Sequence, residues 1–75
     1  MVINTYPDIF YKTAIQIYEA YFFADQKDFT LNIFNIDNNE EIQQKLFIFL
    51  DLLNDMQNDL SIKIILNVSE GRYGS

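Results

Sequence analysis

Few side chains in this 75-residue sequence can perform proton transfer or covalent chemistry: there is no His and no Cys, and eleven Asp and Glu outnumber five Lys and Arg. General acid or base work would fall to carboxylates or Tyr, and a Ser or Thr nucleophile would lack the usual base. An enzyme is not expected, and neither is a cofactor. Asp37-x-Asn39-x-Glu41 echoes the opening of an EF-hand loop, but the sixth and twelfth positions, which need Gly and Glu, hold Ile42 and Ile48. No metal site is therefore expected. Gly71-Arg72-Tyr73-Gly74 lacks the strand-to-helix context of a phosphate-binding loop. Asn67-Val68-Ser69 matches a glycosylation acceptor, but no secretory signal precedes it.

The remaining chemistry is that of binding. Asp51, Asp55 and Asp59 recur one helical turn apart at the end of a predicted helix, where like charges repel and the helix dipole disfavours anions. Each such pair costs a few tenths of a kcal/mol. A basic surface on a partner would offset that cost, and a plain solvated face is the alternative. Phe47 and Ile48 fall outside the core arc of the same helix, which makes them either contacts to a neighbouring helix or interface residues. The turn Asp37, Asn38, Asn39 opens that helix and completes the candidate partner-binding set with Phe47, Ile48, Asp51 and Asp55. Tyr11, Phe22 and Phe23 pose the same question on the first helix.

Composition sets the frame for these residues. A chain of this length makes one domain, 1–75, and buries only about 60% of its unfolded surface. Yet 49% of its residues are hydrophobic and 16% aromatic, more apolar surface than one small core hides. Homodimerisation or a hetero-complex is the expected outlet. The net charge of −6 repels nucleic acid phosphates and anionic lipids and favours a basic protein surface. The lack of Cys fits a reducing compartment, so the cytoplasm is expected. The longest apolar run, Leu46 to Leu50, is too short to span a bilayer.

The elements that would position the binding residues follow from periodicity. Thr5-Tyr6-Pro7-Asp8 reads as a helix start with Thr5 as N-cap, and a helix over 6–24 buries Phe10, Ala14, Ile17, Tyr18 and Tyr21. Phe29 to Phe34 alternates apolar and polar, predicting a strand over 29–35. Asp37 then caps a second helix, over 38–57, with Glu40 three residues later and a core stripe of Ile42, Leu46, Phe49, Leu50, Leu53 and Met56. Leu60 to Val68 reads as a second strand and 69–75 as a flexible tail. The expected fold is α/β: a small two-layer α-β-α-β domain with a parallel βαβ unit, and Val2-Ile3-Asn4 available as a short N-terminal third strand.

That element order resembles the SiaC-type relatives of STAS domains, small regulators similar to anti-sigma factor antagonists. The resemblance is carried by Tyr6-Pro7-Asp8-Ile9-Phe10-Tyr11 opening a helix, Phe29 to Asn35 ending in Phe-Asn, a Leu-rich helix and a β-rich strand. It implies a hydroxyl residue in the turn after Phe34-Asn35 that a partner kinase phosphorylates. Ile36-Asp37-Asn38-Asn39 offers no hydroxyl, which leaves Asp37 as a permanent negative charge there. The family's N-terminal hairpin has no counterpart here. Three functions are expected in order: a STAS-like regulatory module that binds a protein; an acidic inhibitor such as an antitoxin, immunity protein or phage-encoded inhibitor, whose βαβ end resembles the C-terminal part of barstar-type inhibitors; and a structural subunit of a homo-oligomer.

Overall fold

The computed structural model describes residues 1–70, excluding the side chain of Glu70. Its elements are β1 (Val2–Thr5), a 3-10 turn (Pro7–Ile9), α1 (Phe10–Ala24), β2 (Asp28–Ile36), α2 (Glu40–Leu60) and β3 (Lys63–Glu70). The α/β class and the parallel βαβ unit are as expected, and Val2–Thr5 does supply a third strand. The three strands lie in the order β1-β2-β3 and both pairings are parallel.

Each crossover steps the same way, so right-handed connections put both helices on one face of the sheet. Burial agrees. Ile3 and Thr5, then Phe29, Leu31, Ile33 and Ile36, then Ile64 are the buried strand residues, and Ile62, just before β3, is buried with them. The second layer comes from Phe10, Ala14 and Ile17 of α1 and from Leu46, Phe49, Leu53 and Met56 of α2. Phe10 and Phe49 join the helices by a parallel ring stack, with centroids 4.2 Å apart. The expected core stripe of α2 is fully used, with Ile42 and Leu50 partly buried against the rest. On α1, Tyr18 departs from expectation at 37% exposed, and Thr13 takes a core place instead.

The reason lies in β1. Thr5 does not cap a helix: it is the last residue of β1, opposite Ile33, and its buried hydroxyl meets that of Thr13 at 2.6 Å. The start of the first helix moves from 6 to Phe10, with a 3-10 turn at Pro7 before it. Asp37 is likewise not the cap of α2. Asn39 is, its side-chain oxygen accepting from the backbone N–H of Glu41 at 2.8 Å and of Ile42 at 3.3 Å. The helix continues past 57 to Leu60, where Ser61 ends it in the left-handed conformation (φ 56°). The last strand therefore starts at Lys63, and Ser69 and Glu70 belong to it. The expected tail from residue 71 onward, with Gly71-Arg72-Tyr73-Gly74, lies outside the described residues.

The other face of the sheet carries no helix among the described residues, whereas parallel sheets are usually covered on both faces. In-register pairing sets Asn4 beside Asn32 and Asn32 beside Asn67 across it. The Asn32 amide donates to Oδ1 of Asn4 at 3.0 Å, and the Asn67 amide to Oδ1 of Asn32 at 3.0 Å. These three amides form one polar ladder across all three strands.

Candidate functional site

The loop Asp37–Asn39 leaves the carboxyl end of β2, the side of a parallel sheet on which binding loops gather. Asp37 and Asn38 are exposed. The backbone carbonyl of Asp37 accepts from Nε2 of Gln43 at 3.0 Å, which ties the loop to the first turns of α2 while its carboxylate stays in solvent. Glu40 and Glu41 follow in the first turn, where negative charge suits the helix dipole.

Phe47 and Ile48 are 60% and 70% exposed, so neither is a core residue. They do not make one patch. Neighbours on a helix point about 100° apart, and here each takes a different flank of α2. Ile48 shares the α1 flank with Leu52. Phe47 shares the opposite flank with Leu50, Asn54 and Gln57, three to four residues apart. Gln57 locates that flank: its Oε1 accepts from the N–H of Ile64 in β3 at 3.0 Å. Asp51 and Asp55 stand on the outward ridge between the two flanks, and both are exposed.

On the α1 side the helices leave a groove of about 350 Å3. Pro7, Phe10 and Tyr11 form one wall, Ile48, Phe49 and Leu52 the other, and Asp8 and Lys45 stand among them as its charged groups. The Phe10–Phe49 stack makes the buried floor. Tyr11 continues along α1 into Ile15, Tyr18 and Phe22, all exposed and spaced three to four residues apart, with Tyr18 and Phe22 stacked at 6.2 Å. The result is an apolar seam along the outside of the helical layer.

Among the described residues Lys27–Asp25, at 3.9 Å, is the one ion pair. The acids of α2, Asp51, Asp55 and Asp59, are thus left without a cation within bonding reach among those residues. Nor does any cluster of three or more His, Cys, Asp or Glu among them have the geometry to hold a metal ion. The chemistry on offer is an apolar cleft beside unneutralised carboxylates, suited to an apolar side chain carried next to basic ones.

Sequence periodicity singled out Tyr11 and Ile48 as outside the core arcs but not as parts of one groove with Leu52. Pro7 read only as a helix-start signal. Joining them needs the parallel side-by-side packing of α1 and α2, which the topology supplies. In comparisons with known proteins, no protein-family model, no curated protein and no solved structure matches this chain.

Proposed function

We propose that this chain is a non-catalytic, STAS-like regulatory module of the cytoplasm that holds a protein partner on its helical layer, between the loop Asp37–Asn39 and the groove beside Ile48. The observation that carries this reading is the groove itself. An open cleft walled by Tyr11, Ile48 and Leu52 leaves apolar surface in water that an inserted side chain would bury. With Ile48 70% and Leu52 37% exposed, burying what remains against a partner is worth about 1–2 and about 0.5–1 kcal/mol respectively, as shares of a full side-chain burial.

The partner's expected chemistry is an apolar anchor flanked by Lys or Arg, since Asp51 and Asp55 lie on the ridge next to the groove without a cation within bonding reach among the described residues. The same ridge favours a second reading, an acidic inhibitor of a basic protein, in which the carboxylates rather than the groove set the association rate.

One experiment separates them. Captured partner is compared for the native chain, Ile48→Asp and Asp51→Asn/Asp55→Asn, at low and moderate salt. The first reading expects Ile48→Asp to abolish capture and the double Asn variant to weaken it modestly. The inhibitor reading expects the reverse order and a steep fall in association rate with salt. Capture unchanged by all three substitutions sinks both.

A further inference from the structure

We propose that two copies of this chain join antiparallel along β3, about a two-fold axis at Asn67, to make one continuous six-stranded sheet from two three-stranded ones. The proposal is independent of the partner groove, which lies on the α1 side of α2, away from this edge.

The outer edge of β3 pairs with no described segment. Its hydrogen-bonding groups alternate along the strand. The N–H of Lys63 turns inward to the carbonyl of Lys27 at 2.8 Å, and that of Ile64 turns outward. The N–H and C=O of Leu66 and Val68 therefore also face outward. Gln57 occupies the outward N–H of Ile64, which leaves those of Leu66, Val68 and Glu70 open, and a two-fold axis at Asn67 sets the stretch 64–70 against itself.

That centre is self-complementary. Antiparallel pairing about Asn67 sets Leu66 opposite Val68 of the second copy and Val68 opposite its Leu66, and both have outward backbone groups that need partners. Leu66 is 38% and Val68 51% exposed, and each would cover the other. On the open face, Asn67 would meet Asn67 in a close, non-hydrogen-bonded pair. Its Oδ1 accepts no hydrogen bond among the described residues, while its amide already donates to Asn32. A primary amide has a matching donor and acceptor, so two Asn67 side chains can bond reciprocally, and the ladder of three would run on as a ladder of six.

The neutrality of the edge suits a partner strand that is itself neutral, as the same stretch of a second copy is. The chain carries −6, yet 64–69 holds no charged residue, which makes this a stretch where two copies meet without repulsion. Nor does the stretch contain a Pro or a charge of the kind that usually guards a strand edge. Phe47, exposed on the α2 flank that Gln57 places above β3, adds apolar surface on that side. A contact along one strand and one helix flank lies at the small end of specific interfaces, so the dimer is reversible and concentration-dependent.

The test is sedimentation equilibrium of the full chain from micromolar to millimolar concentration, with three variants. Val68→Pro removes an N–H that makes no bond to β2, and the two-fold removes it twice, so dissociation should rise roughly tenfold or more. Asn67→Cys, the sole thiol, should oxidise to a covalent dimer. Ile65→Cys should not, because its copies would stand about 13 Å apart along the strands. A native chain that stays monomeric throughout overturns the proposal. So does a dimer that a folded Val68→Pro leaves intact. If Val68→Pro unfolds, the two Cys variants decide, and equal crosslinking of both overturns it.

Discussion

Replacing Thr13 by Val tests how β1 is fastened to α1. Thr5 and Thr13 are 0% and 2% exposed, and their hydroxyls meet at 2.6 Å inside the core. Val matches Thr in shape, so Thr13→Val opens no cavity and isolates the polar term. It leaves the Thr5 hydroxyl buried without that partner, which costs about 1–3 kcal/mol. A chain of this length has about 4–11 kcal/mol of total stability, so the loss is a large fraction. With a urea dependence near 1 kcal/mol per molar, at the low end for small domains, the midpoint falls by about 1 M or more. Thr5→Val behaves alike, while Thr5→Val/Thr13→Val returns close to native stability because neither orphan remains. The assay is urea unfolding followed by far-UV circular dichroism on all four proteins. A double variant that loses the sum of the two single losses would refute the reciprocal pair, because each hydroxyl would then be bonded elsewhere. A confirmed pair would mean that the wall formed by Pro7, Phe10 and Tyr11 is anchored to the sheet two residues before it begins.

The capping residues make two further tests. Asn39→Ala removes the acceptor for Glu41 and Ile42 N–H and should lower stability by about 1 kcal/mol in thermal or urea unfolding; an unchanged midpoint would mean water replaces the cap without loss. Ser61→Gly relieves a left-handed backbone that a side chain disfavours, and should raise stability by about 1 kcal/mol unless the serine hydroxyl contributes more than its strain costs.

Much of the fold was legible in the sequence. The α2 stripe from Ile42 to Met56 keeps a helical period without a polar interruption, and Phe29 to Ile33 alternates cleanly, so burial follows pattern. The departures occur where a long-range partner outbids a local one. Thr5 carries the signature of an N-cap, but pairing of β1 with β2 draws it into the sheet and turns its hydroxyl to Thr13. Asp37 is a competent cap, yet β2 runs to Ile36 and shifts the boundary to Asn39. Ser61 holds a positive φ that ordinarily signals Gly, so the end of α2 had no local marker. In the candidate site, the helical wheel places Phe47, Ile48, Asp51 and Asp55 off the core stripe, but the exposure of Phe47 and Ile48 and their division between flanks depend on where α1 and β3 lie. The Asn ladder was hidden for the same reason. Asn4, Asn32 and Asn67 are meaningless as a set until parallel register aligns them.

Strand order repeats chain order, and this bears on how the protein is made. Each new strand adds at the edge left by the one before, so β1, α1 and β2 can pair while the rest is still being synthesised, and β2 holds its second edge open until β3 arrives. Growth at one side makes β3 the last edge laid down, with nothing in the described chain to close it. Nascent chains side by side on one message would present that edge to each other at high local concentration, so the sheet's final pairing is open to other chains before the protein has left the place of its synthesis.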